Sequence, residues 1–78
     1  MDKVELARIL QEEGYRPAAY SLEGGLRDDT LCLDEVHGKW VVYYSERGQR
    51  WNEREFSSED AACQYFLKLI RQDGAAKL

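Results

Sequence analysis

Five acids lie between Glu23 and Glu35 (Glu23, Asp28, Asp29, Asp34 and Glu35) against a single base, Arg27, so this segment carries −4. The other residues hold ten acids and ten bases and sum to zero, which assigns the whole net charge of −4 to one stretch. Such a stretch is either a solvated loop and edge or an electrostatic face for a basic partner. Asp28 and Asp29 are adjacent carboxylates, but no further oxygen ligands accompany them at the spacing a hard cation needs, and no metal is expected. Gly24-Gly25 is not followed by the Lys-bearing strand-to-helix junction of a phosphate loop, so no nucleotide cofactor is expected. His37, the single histidine, falls where a turn is predicted, without the enclosing pocket and orienting partner a general base requires. Cys32 and Cys63 have no second Cys or His at metal spacing and are too few for a disulfide framework. They are expected to be reduced, half-buried thiols. These residue types point to binding and away from catalysis, and the chain is expected not to be an enzyme.

The 78 residues are enough for one domain, with 44% hydrophobic and 12% aromatic content to build its core. That domain is expected over residues 1–74, followed by a frayed tail at 75–78. No apolar stretch is long enough to span a bilayer, and Met1-Asp2-Lys3-Val4-Glu5 lacks the apolar run of a signal peptide. A cytoplasmic protein without membrane contact is the expectation.

The elements that must position the acids follow from periodicity. Asp2 and Glu5 have capping-box spacing ahead of a helical stripe of Leu6, Ile9 and Leu10, with Gly14 to end the helix. Ala18 to Leu22 reads as a short strand. Thr30 to Val36 and Lys39 to Ser45 flank His37-Gly38, a two-residue loop of the tight-hairpin kind. With Val36 opposite Lys39, residues Leu31, Leu33, Trp40, Val42 and Tyr44 share one face, and Cys32, Asp34, Val41 and Tyr43 share the other. Arg47-Gly48 suits a turn in which glycine supplies a positive φ. Trp51 and Phe56 have opposite parity, so the charged run between them predicts a short, bulged or edge strand. Ser57 and Asp60 mark the start of a second helix with a stripe of Ala62, Phe66, Leu69 and Ile70, ended by Gly74.

The fold class predicted is α+β, an antiparallel meander of three to four strands covered on one face by an N-terminal and a C-terminal helix. The core is expected to hold Leu6, Ile9, Leu10, Leu31, Leu33, Trp40, Val42, Phe66, Leu69 and Ile70. The opposite face, with Val41 and Tyr43, is expected to stay open. The order helix–strands–helix is also that of double-stranded-RNA-binding domains, but those place basic residues at the start of the second helix. Here that helix begins Ser57-Ser58-Glu59-Asp60, which repels phosphate, and nucleic-acid binding is not expected.

Tyr20-Ser21-Leu22-Glu23-Gly24-Gly25, Trp40-Val41-Val42-Tyr43-Tyr44-Ser45-Glu46-Arg47-Gly48, Phe56-Ser57-Ser58-Glu59 and Ala61-Ala62-Cys63-Gln64-Tyr65-Phe66 together form a pattern. From about Tyr15 to Ile70 it resembles small bacterial immunity proteins of polymorphic-toxin and contact-dependent growth inhibition systems. The resemblance implies a non-catalytic antitoxin that binds one cognate toxin domain and blocks it. The free protein is expected to be a monomer or weak homodimer. It carries over no binding residues, because those surfaces differ between members. The acidic segment suits inhibition of a nuclease, or of another enzyme with a basic cleft, in the place of its anionic substrate. The alternative is a small adaptor or regulator that binds another protein, or itself, through the open sheet face. For either, the expected partner surface is Asp28, Asp29, Asp34 and Glu35, with Tyr43 as an exposed aromatic anchor and Glu53 and Glu55 as an extension. On that expectation, reversing Asp28 and Asp29 to Lys slows association and leaves folding almost unchanged.

Overall fold

The computed structural model describes residues 1–77. Helix α1 (Lys3–Glu12) is followed by a 3-10 turn (Pro17–Ala19) and four strands, β1 (Tyr20–Ser21), β2 (Thr30–Val36), β3 (Lys39–Glu46) and β4 (Gln49–Phe56). Helix α2 (Glu59–Gln72) and a second 3-10 turn (Gly74–Ala76) complete the fold. The strands form one sheet in the order β1-β2-β3-β4. The α+β layout is the predicted one, with one change. The segment predicted as a strand from Ala18 shortens to two residues, because Pro17 starts a 3-10 turn. Tyr20 and Ser21 then pair in parallel with Leu31 and Cys32, which makes the sheet mixed.

The hairpin register is the predicted one. Val36 lies opposite Lys39, Glu35 opposite Trp40, Leu33 opposite Val42 and Leu31 opposite Tyr44. His37 and Gly38 both take positive φ (52° and 81°), as do Arg47 and Gly48 (54° and 75°) in the β3–β4 turn. Both loops thus have the twist that matches right-handed strands. The bulge lies on β4. Val42 pairs with Arg54 and Tyr44 with Trp51, so β4 has an extra residue at Asn52 and Glu53, with Asn52 at φ 55°. That insertion reverses parity, and Trp51 and Phe56, opposite Tyr44 and Trp40, come to the same face.

Both helices cover that face. The Asp2 carboxylate accepts the Glu5 N–H at 2.8 Å and caps α1. Behind Gly14 (φ 79°), Tyr15 and Gly14 donate to the Leu10 and Gln11 carbonyls and close the helix end. The cap of α2 is Ser58, one residue later than predicted, and its hydroxyl accepts the Ala61 N–H at 3.1 Å. Glu59 and Asp60 are thereby presented to α1. Glu59 accepts the Lys3 N–H at 2.8 Å, and Asp60 meets the Met1 amino group at 2.6 Å. At the other end Arg71 grips Glu13, with Nε 3.1 Å from Oε1, so the helices run side by side in the same direction.

Leu6, Leu10, Leu31, Leu33, Val42, Phe66 and Ile70 are buried as predicted, joined by Cys63 and Leu67. Ile9, Trp40 and Leu69 are half-buried and pack against this core. Part of the segment expected as a tail lies against the domain. Ala76 is buried, its carbonyl accepts the Arg16 N–H at 2.7 Å, and Lys77 bridges to Tyr15. Leu78 lies outside the described residues.

Candidate functional site

The second face of the sheet is not open. Cys32, Val41 and Tyr43 form a small core of their own there, with Tyr43 only 1% exposed. The loop after β1 covers them. Gly24, at φ 71°, donates to the Leu33 carbonyl at 2.9 Å, and the Gly25 carbonyl accepts the Tyr43 hydroxyl at 2.7 Å. The Ser21 hydroxyl donates to the Gly24 carbonyl at 2.8 Å, and the Arg27 guanidinium donates to the Tyr20 carbonyl at 2.7 Å. Burial pushes the Tyr43 phenol up to about 12. Tyr43 therefore corrects the expectation of an exposed anchor. Two glycines in sequence let a backbone lie close against the sheet, and a Cβ on Gly24 would come within 2.6 Å of the Asp34 carboxyl carbon.

Above Tyr43 lies Arg50, whose guanidinium carbon is 4.3 Å from the centre of the tyrosine ring. From there it reaches Glu53 at 3.0 Å and Asp34 at 3.8 Å. The sequence alone does not mark Arg50, because its position over Tyr43 depends on the register of β4. Glu55, opposite Val41 in the row that includes Asp34, is exposed and has no partner among the described residues. Asp34, Glu53 and Glu55 thus share one face with a single guanidinium between them, an acidic surface on a buried tyrosine.

The remaining predicted acids are elsewhere. Asp28 accepts the Arg47 N–H at 2.7 Å and Asp29 accepts the Tyr44 hydroxyl at 3.3 Å, so the pair ties the segment before β2 to the end of β3 and the β3–β4 turn. Asp29 takes φ 55° to do so. The two acids precede β2, whose first residue, Thr30, is about 13 Å along the strand from Asp34. Reversing them would break the tie as well as change the charge, which corrects the expectation that folding is indifferent to them. Glu35 opposes Trp40 and so belongs to the helix-covered face, away from Asp34.

Trp51 is the large aromatic that does reach solvent, 51% exposed at the free edge β4. A groove of about 400 Å³ between the sheet and α2 is lined by Leu31, Tyr44, Asn52, Tyr65 and Leu69 among others. Both thiols are buried, and desolvation raises them, Cys63 to about 11. Among the described residues no group of three or more His, Cys, Asp or Glu is placed to hold a metal ion, and no helix is long and apolar enough to cross a membrane. Comparison with protein-family models, curated proteins and solved structures finds no match to this chain.

Proposed function

We propose that this protein is a non-catalytic immunity protein that binds and neutralises a cognate bacterial toxin domain in the cytoplasm. The sequence resemblance suggests the role, and one structural observation carries the surface. Asp34 and Glu53 are held by an arginine laid on a buried tyrosine, with Glu55 in the same cross-strand row as Asp34. Carboxylates held in this way lose little side-chain freedom when a basic surface docks, which lowers the cost of association. The net negative charge of the face suits a toxin whose cleft accepts an anionic substrate, such as a nuclease, and speeds encounter with it. Asp28 and Asp29 add long-range attraction, while their carboxylates serve the fold.

The test is to read the gene beside this one and to co-express any toxin domain it encodes with this chain. Rescue of growth and a stable complex are expected. Replacing Glu53 and Glu55 by Lys should slow association about tenfold at low salt, an effect that fades as salt screens the charges. Absence of both rescue and complex would overturn the reading. Unchanged association by the doubly reversed variant would overturn the surface.

A further inference from the structure

β4 is the longer of the two edge strands of the sheet, and seven of its eight residues are exposed. Hydrogen-bonding direction along it follows from the two tight hairpins. The pair closing a two-residue loop is hydrogen-bonded, and such pairs alternate with non-bonded ones along an antiparallel ladder. Val36 and Lys39 close the first loop, so Lys39, Val41 and Tyr43 bond to β2, and Trp40, Val42 and Tyr44 bond to β4. Their opposites Phe56, Arg54 and Trp51 turn their backbone groups inward. Arg50 and Glu55 turn theirs outward, to the empty side. In a regular strand, residues five apart could share neither the outward direction nor a face. The bulge at Asn52 and Glu53 makes Arg50 and Glu55 share both, and brings Trp51 and Arg54 to the opposite face together.

The strand is thereby complementary to itself. Two β4 strands placed antiparallel about a two-fold axis between Asn52 and Glu53 set Arg50 of each copy opposite Glu55 of the other. The same register sets Trp51 opposite Arg54. Glu55 has no partner among the described residues of its own chain, and the Arg54 guanidinium carbon lies over the rings of Tyr65 at 5.0 Å and Phe56 at 5.8 Å, so Trp51 would extend an existing cation–aromatic stack. A slip of one residue in one direction puts Arg50 opposite Arg54. A slip in the other puts Arg50 opposite Phe56 and Trp51 opposite Glu55. Charge and a bulge on an edge usually discourage pairing with arbitrary strands. Here the same residues select one strand, their own copy.

We propose that two copies of this chain associate through β4 in this register, joining their sheets into one of eight strands. The interface is isologous, as a two-fold dimer requires. Glu55→Arg and Arg50→Glu each create like-charge pairs in their own homodimer, whereas an equimolar mixture of the two variants restores both opposite-charge pairs. Sedimentation velocity of the full chain should give a monomer–dimer equilibrium below about 1 mM, weakened at least tenfold in either variant and regained in the mixture. Circular dichroism checks that each variant is folded. If Arg50→Glu loses its fold, hydrogen exchange of the wild type decides, because the Arg50 and Glu55 amides should gain protection as concentration rises. A wild type that stays monomeric, a Glu55→Arg variant that dimerises as tightly as wild type, a folded pair of variants that fails to associate on mixing, or amide protection that ignores concentration would each overturn the proposal.

Discussion

Tyr43→Ala separates a structural tyrosine from an interface anchor. Its ring is 1% exposed and packs with Cys32 and Val41, its hydroxyl donates to the Gly25 carbonyl at 2.7 Å, and its outer side supports Arg50. Truncating a buried aromatic costs about 3–5 kcal/mol, and the ring contact with Arg50 adds about 0.5–1 kcal/mol. The hydroxyl alone contributes about 1 kcal/mol, because the Gly25 carbonyl it leaves belongs to an exposed residue and can turn to water. A domain this small has a stability near the lower end of about 5–15 kcal/mol. Tyr43→Ala should therefore leave a population unfolded even without denaturant, and Tyr43→Phe should stay folded with a midpoint lowered by the smaller amount. Urea titration followed by circular dichroism and by Trp40 fluorescence measures both, since Trp40 is half-buried and Trp51 is largely exposed in either state. An Ala variant within about 1 kcal/mol of wild type would refute the second core and return Tyr43 to the surface.

Ser45→Ala removes a buried hydroxyl that has no hydrogen-bond partner among the described residues, so stability should be unchanged or up to about 1 kcal/mol higher by urea titration. Asp28→Ala frees the Arg47 N–H, which is exposed, and should cost about 0.5–1.5 kcal/mol, with Asp28→Asn recovering most of it in the same titration. The Tyr43 phenol is raised in the folded state, so the neutral form is the one the fold favours. Its contribution is intact below pH 10, the unfolded value, and is lost as pH rises towards 12, a fall that Tyr43→Phe should diminish in alkaline melting curves. Cys32 and Cys63 are buried and raised for the same desolvation reason, so both should react with a disulfide reagent at pH 8 only as the protein unfolds, at least about a hundredfold slower than in urea.

The elements and their pairing could be read from neighbouring residues. The α1 cap, the His37-Gly38 and Arg47-Gly48 turns, the register from Val36–Lys39 to Leu31–Tyr44 and the helix stripes rest on φ preferences and on periods of two and 3.6, which operate within a few positions of the chain. The opposite parity of Trp51 and Phe56 points to a short, bulged or edge strand, and the structure decides for a bulge, on the edge strand, at Asn52 and Glu53. The site was read less well, because its parts meet only across the fold. The acids from Glu23 to Glu35 are adjacent in sequence, yet a strand sends alternate residues to opposite faces and separates its ends. Asp34 consequently joins Glu53 and Glu55, Glu35 goes to the helix side, and Asp28 and Asp29 bind the turn at the far end. The burial of Tyr43 depends on a glycine loop eighteen positions earlier folding back over the second face, an arrangement to which the pattern of β3 alone is blind. Local conformational preference settles the strands and turns. Which face becomes surface is settled by packing between residues remote in the chain, where the free energy of burial outweighs any local preference.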